Sequence, residues 1–328
     1  MSTIEEFGEL EKLSITVLVD NKTDLFLEST ETISYFNDAP LMAEHGWSVL
    51  INLNDDEHNI LWDAGLSQSA LIDNMRNMKI DPKSIKKIAL SHGDEDHIAA
   101  LTDLLIQMNL DIESKDWPGA ITGKDVEAWI DRQRIPLIVH PAAFQERWQK
   151  KEDDTLAGPF MPPPYQVWET LGAKIVLSET PYQLAPGCWA TGYIPRNSFE
   201  QSGRSKRSFY RDGDQFLHND LDDDQAIVMN IKDKGLIILS GCAHSGIVNT
   251  VNYAKEISGI DKIHAIIGGF HLARTGDEEI EQTVGSIIEM DVELIVPCHC
   301  TGSKANKLFE RQMPEQYVEG IVGATYLF

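Results

Sequence analysis

Residues 91–97 read Ser-His-Gly-Asp-Glu-Asp-His, and no other stretch constrains this chain as tightly. His92, Asp94 and Asp96 alternate, so on extended backbone their side chains share one side. His97 follows at once, where the pattern passes into the apolar run Ile98-Ala99-Ala100-Leu101. Imidazoles and carboxylates this close together form a ready set of divalent-metal ligands. Acids also collect in the first turn of any helix, where the macrodipole favours them. That accounts for the carboxylates but for neither histidine, so metal binding is the expected role of His92, Asp94, Asp96 and His97. The preceding Lys86-Lys87-Ile88-Ala89-Leu90 reads as a short buried strand, and Ile98 to Met108 has helical spacing of apolar residues. The ligands thus fall at the C-terminal end of a strand, where α/β sheets carry their sites.

The same rhythm runs through the chain. Strands are expected near 15–19, 48–53, 60–62, 88–90, 137–139, 174–177, 189–193, 226–231, 236–239, 263–267 and 294–296. Helices are expected near 68–78, 98–108, 142–150, 247–257, 278–290 and 304–311. Helices between strands imply sheets covered by helical layers, and the hairpin-like steps at 48–62 and 226–239 make those sheets mixed. Polar stretches at 111–136, 151–164 and 196–224 break the rhythm, and loops of that length are usually functional covers or disordered segments. No shift in composition marks a second domain, so 1–328 reads as one.

Charge narrows the partners. A formal net charge of −24 repels phosphate backbones and anionic membranes, which argues against a nuclease or a membrane-surface enzyme and for a small-molecule substrate. Local Arg and Lys can still reverse the field inside a pocket. No apolar run approaches the ~20 residues of a spanning helix. Residues 1–11 lack the basic start and apolar centre of a signal peptide, so a cytoplasmic protein is expected. Four cysteines in 328 residues suggest no disulfide framework and read as reduced thiols.

Four further strand ends deliver polar residues. Asp63, in Trp-Asp-Ala-Gly, either caps the helix from Gln68 or hydrogen-bonds a ligating histidine from behind, and the second is favoured. Cys242 and His244, in Gly-Cys-Ala-His-Ser-Gly, face one cavity if the backbone stays extended, although a packed core thiol is the commoner fate of a lone cysteine. In Pro-Cys-His-Cys-Thr-Gly, His299 points opposite to Cys298 and Cys300 on extended backbone, so His299 is the better ligand and the cysteines pack. His271, after Gly-Gly-Phe, touches substrate or metal, or caps the next segment. His45 and His140 read as structural.

Asp63, the Ser-His-x-Asp-x-Asp-His run and the late His299 together resemble the metallo-β-lactamase superfamily. Residues 241–249, 268–272 and 297–302 look like its dihydropteroate-synthase-like subgroup, which is associated with a pterin-forming step. The resemblance implies a four-layer αββα sandwich, with 111–164 and 196–220 as insertions. It implies one or two divalent metal ions, zinc first, with manganese or iron as alternatives. His92 and Asp94 would serve one metal, and Asp96, His97 and His299 the other. Asp94 stands where the family has His, and Cys242 stands where most members have a bridging Asp. No histidine lies near 192–194, and His244 is the natural substitute.

The function expected is hydrolysis of a small, anionic ester or phosphoester by a metal-activated water that Asp96 orients, with His271 also placed at the reaction centre. The alternatives are metal-assisted transfer on a pterin-like substrate and a degenerate, metal-poor binding protein. Arg196, Arg204, Lys206, Arg207 and Arg211 concentrate scarce positive charge in one loop. Arg196 and Arg207 are expected to clamp the anionic group, unless the loop pairs internally with the acids at 220–224.

Overall fold

The computed structural model describes residues 3–110, 116, 117, 119–201 and 207–328. Two mixed sheets pack face to face. The larger runs, edge to edge, Ile33–Tyr35, Ala324–Leu327, Leu13–Val19, Ser48–Leu53, Asp55–Trp62, Ile85–Ala89, Ile135–Val139 and Ala173–Leu177. The smaller runs Tyr182–Ala185, Cys188–Ala190, Ala226–Ile231, Gly235–Ser240, Ile263–Gly269 and Leu294–Cys298. Between them lies a core to which both contribute, including Ile15, Val49, Trp62, Ile227, Ile237 and Val296.

Helices close both outer faces. Gln68–Asn77 and Leu101–Met108 bury Leu71, Met75, Leu104 and Leu105 against the larger sheet. Ile247–Ser258, Asp277–Glu289 and Ser303–Gln312 bury Val251, Val284 and Phe309 against the smaller one. The result is the expected αββα sandwich. Local chemistry agrees with it: Ser67 caps the first helix by accepting from the Ala70 N–H, and Gly259 ends the helix from Ile247 at φ 70°. Gly235–Ser240 is buried along its whole length, paired antiparallel to Ala226–Ile231 and parallel to Ile263–Gly269, which is why it reads as an unbroken apolar run.

Three differences from expectation matter. The apolar run after His97 is split into Glu95–Ile98 and Leu101–Met108 rather than starting at Ile98. The helix expected over 142–150 is a short 3-10 turn, Pro141–Phe144, followed by the strand Arg147–Lys150. The backbone of that strand pairs with Ser208–Asp212, opposing Trp148 to Phe209, so long-range pairing overrides a locally helical pattern. With Leu156–Phe160 and Gln215–His218 it forms a third, four-stranded sheet drawn from two of the stretches that break the rhythm. Among the described residues, no helix is long and apolar enough to cross a membrane.

Candidate metal centre

Parallel pairing brings the strand ends together. Asp55–Trp62 and Ile85–Ala89 run parallel and deliver Asp63 and the heptapeptide. Gly235–Ser240, Ile263–Gly269 and Leu294–Cys298 run parallel and deliver Cys242 with His244, then His271, then His299. Asp63, Ala243, His271 and His299 all adopt positive φ, between 46° and 59°. Side chains with a Cβ seldom occupy that region, and such strain gathers where backbone must aim a functional group. At Gly241 there is no room for any side chain, because an added Cβ would lie 2.1 Å from Ser91 Oγ.

Around His97 the packing is dry and fully connected. Its Nδ1–H donates to Asp63 Oδ2 at 2.7 Å, and both residues are wholly buried. Asp63 also accepts from Ser91 N–H at 2.7 Å and from Ser91 Oγ–H at 2.6 Å. The other nitrogen, His97 Nε2, lies 3.2 Å from both Cys242 Sγ and His299 Nε2. Asp96 Oδ2 is 3.4 Å from His299 Nε2. His45 stacks on His299 with ring centroids 4.8 Å apart and sets its Nε2 3.5 Å from Asp96, so it borders the site rather than serving structure alone.

A second buried cluster lies beside it, next to the partly exposed Asp94. His92 and His244 meet edge to face, with centroids 4.8 Å apart, and Cys242 completes a group whose ligand atoms lie within 4.8 Å of one another. Asp94 Oδ2 is 3.5 Å from His92 Nε2 and 3.8 Å from His244 Nε2. His271 stacks against His244 at 4.2 Å, and its N–H points at Cys300 Sγ. Cys242 thus belongs to both clusters, and it also groups with His271 and Cys300.

Electrostatics divides each cluster in the same way. Burial would lower His92, but Asp94, Asp223 and Asp224 lift it to about 10. Burial likewise opposes protonation of His299, and Asp96 overrides it. Burial and the charge of His92 push His97 down, while burial, His271 and His92 hold His244 well below the usual imidazole range. Burial would raise Asp94 and Asp96, yet His92 and His299 respectively hold them down. In each cluster one imidazole is thus shifted up by neighbouring acids and its partner is shifted down by burial.

These residues fit metal ions. His92 Nε2 and both nitrogens of His244 are buried without a hydrogen-bond partner among the described residues. Tetrahedral zinc with ~2.0–2.1 Å bonds needs nitrogen–nitrogen edges of about 3.3 Å. The 3.2 Å separation of His97 Nε2 and His299 Nε2 matches that edge.

Above the clusters opens a cavity of about 600 Å³. Asp94, His244 and His271 line its floor, while Arg147, Trp148, Phe160 and Met161 of the third sheet and its margin line one side. The clamp expected from the loop has another arrangement. Arg196 is 6% exposed and donates to the carbonyls of Asp220 and Leu221, with Asp222 Oδ1 at 3.4 Å, which is the internal pairing. Its Nη2 donors are thus taken by main-chain carbonyls. Arg207 is exposed at the start of the third sheet, Arg211 turns to Gly213, and neither they nor Arg196 line the cavity. Arg204 and Lys206 lie outside the described residues. The cavity's arginines are Arg147 and Arg274. Nothing local marks either, since one sits in a stretch read as helix and the other in a polar turn.

A model of the metallo-β-lactamase superfamily matches residues 42–109, which contain Asp63 and the heptapeptide. A relative from Methanocaldococcus jannaschii, named 7,8-dihydropterin-6-methyl-4-(β-D-ribofuranosyl)-aminobenzene-5′-phosphate synthase, is 31% identical over 284 residues, covering 85% of this chain and 88% of the relative. Among solved structures, a metal-dependent hydrolase of the β-lactamase superfamily superposes with a TM-score of 0.68 at 22% identity, over 95% of this chain and 98% of that one. A metallo-β-lactamase fold protein from Bacillus subtilis gives 0.51 at 11% identity, over 97% and 100%. The fold, the strand-end donors and the 31% identity lead to one assignment: the chain belongs to the metallo-β-lactamase superfamily, whose members bind divalent metals.

Proposed function

We propose that this protein is a metal-dependent hydrolase of a small, anionic ester or phosphoester, with zinc as the first candidate metal and manganese or iron as alternatives. The observation that carries the reading is the sharing of Cys242 by two buried donor clusters, one of which reaches the cavity floor through His244. His92, His244 and Asp94 would hold one ion, His97, His299 and Asp96 the other, and Cys242 would contribute to both. When bound, such ions supply Lewis acidity and lower the pKa of water in their coordination sphere toward ~7. Asp63 fixes the His97 ring through Nδ1 and keeps Nε2 turned inward. Asp96 orients the attacking water by accepting its proton in a hydrogen bond, and His271, on the cavity floor, holds or moves a proton at the leaving group. On this reading the chain is one catalytic domain, and the segments within 111–164 and 196–220 are insertions that cover the site.

A second reading has its own support. The M. jannaschii relative is named a synthase of a dihydropterin product, and Trp148 and Phe160 offer aromatic surface to a planar ring. Under it the same centre would assist carbon–nitrogen bond formation. Elemental analysis of protein purified without added metal, followed by parallel assays on ester, phosphoester and dihydropterin substrates, tests both. Two ions per chain with turnover of an ester or phosphoester is the expected result. Turnover of the pterin alone would favour the second reading. No metal above background and no thermal stabilisation by zinc, manganese or iron would defeat both.

A further inference from the structure

Arg147 connects the third sheet to the floor of the cavity. Its Nη1–H donates to Asp94 Oδ1 at 2.6 Å, and its Nη2–H donates to Asp223 Oδ2. The same Asp223 oxygen accepts the N–H of Gly93 at 2.8 Å, inside the heptapeptide. Arg147 is 14% exposed and Asp223 only 1%, so that end of the network is largely removed from water, while Asp94 is 40% exposed. Asp94 stands at the N-cap of Glu95–Ile98 but makes no capping hydrogen bond, so the helix does not set its carboxylate. Its hydrogen bond to Arg147 comes from a strand 53 residues away in sequence.

The consequence lies in which oxygen remains. With Oδ1 committed to the guanidinium, Oδ2 alone faces His92 and His244. The guanidinium orients the carboxylate so that Oδ2 is the oxygen turned to the two imidazoles. The planar fork of arginine suits the task because it serves two carboxylates at once, which a lysine ammonium does poorly. One N–H of each arm is committed to a carboxylate, so an anion approaching Arg147 competes with Asp94 and Asp223.

We propose that Arg147 is a positioning residue, which presents Asp94 Oδ2 to the His92–His244 cluster and thereby makes metal affinity there depend on the covering sheet. This rests on the reading of the site as a metal centre. The test is zinc affinity, measured by competition with a chromophoric chelator, in a cycle of Arg147→Met and Asp94→Asn. Arg147→Met should weaken one of the two zinc sites by about 10–100-fold and spare the other. In the Asp94→Asn background the same change should cost under about three-fold, since coupled residues are not additive. Equal losses in both backgrounds, or unchanged zinc binding with only a raised KM, would overturn the proposal. Should Arg147→Met fail to fold because Asp223 is left buried and unpaired, Arg147→Lys in the same cycle decides the matter by the same criteria. Wild-type protein without any zinc site would instead remove the reading of the centre, and this inference with it.

Discussion

His92 and His97 lie with ring centroids 4.1 Å apart and both reach Ser91 Oγ through Nδ1, yet the rest of their surroundings differ. His97 is backed by Asp63 and Ser91, groups that the buried interior of the larger sheet fixes before any ligand arrives. His92 shares its cluster with a His244 whose ring has no hydrogen-bond partner among the described residues and an Asp94 steered from the covering sheet. One half of the centre is built into the sandwich, and the other is completed from outside it. Preorganisation in the first half costs stability if a partner is lost. Adaptability in the second leaves affinity exposed to changes in the cover.

Removing one histidine from each half tests that contrast most severely. His97→Ala strips Asp63 of its imidazole partner and should destabilise the metal-free protein by about 3–5 kcal/mol, as breaking a buried pair does. His244→Ala abandons no partner and should cost under about 1 kcal/mol, while still removing metal from its cluster. Urea unfolding of metal-free protein measures both, and equal losses would erase the distinction.

Next in size is the response to pH, where His92 and His97 pull in opposite directions. The folded-state pKa of His92 is raised to about 10, so its contribution is complete below the unfolded value near 6.5 and is lost as pH rises through about 10. His97 is shifted down, so its contribution is present above that unfolded value and is lost as pH falls. The Tm of metal-free protein should drop by several degrees between pH 7 and pH 10, and His92→Gln should flatten that limb. Zinc loading, which requires neutral His92, should flatten it too. A limb that survives His92→Gln would assign it to another group.

Asp63→Asn sharpens the comparison further. It should weaken the zinc site of His97 by about 10–100-fold and the His92 site by under about three-fold, because His97 bonds that carboxylate directly and His92 reaches it only through Ser91. Equal loss at both sites would mean that the halves are not separate. The smallest effect concerns substrate charge. Arg274 is exposed, lines the cavity and makes no ion pair among the described residues. Arg274→Ala should raise KM several-fold for an anionic substrate and spare a neutral analogue, whereas Arg196→Ala should act on stability and leave KM alone.

The same division runs through what the sequence makes legible. His92, Asp96, His97, His244 and His299 announce themselves because each ends a strand with a clear apolar run, and α/β sheets gather such ends. Asp63 is readable for the same reason, as is the layered fold. The covering sheet is not. Its strands are short and polar, two hairpins joined by one long-range pairing, so no period marks them, and Ala142 to Lys150 has apolar residues at helical spacing. Arg147 is invisible as a consequence, since its task depends on which strand it joins. Arg196 misleads because charge clustering in sequence does not say whether carbonyls or solvent lie within reach.

The covering sheet takes two strands from each of two segments well apart in the chain. Neither ribbon would hold its shape alone, because an isolated pair of strands is marginal in water. A lineage with this architecture therefore cannot alter its cover by exchanging one loop, and exchanging both also replaces whatever residue answers Asp94. New substrate preferences must then be inherited in blocks, with the cover and one carboxylate of the floor changing together, while the His97 half passes on untouched.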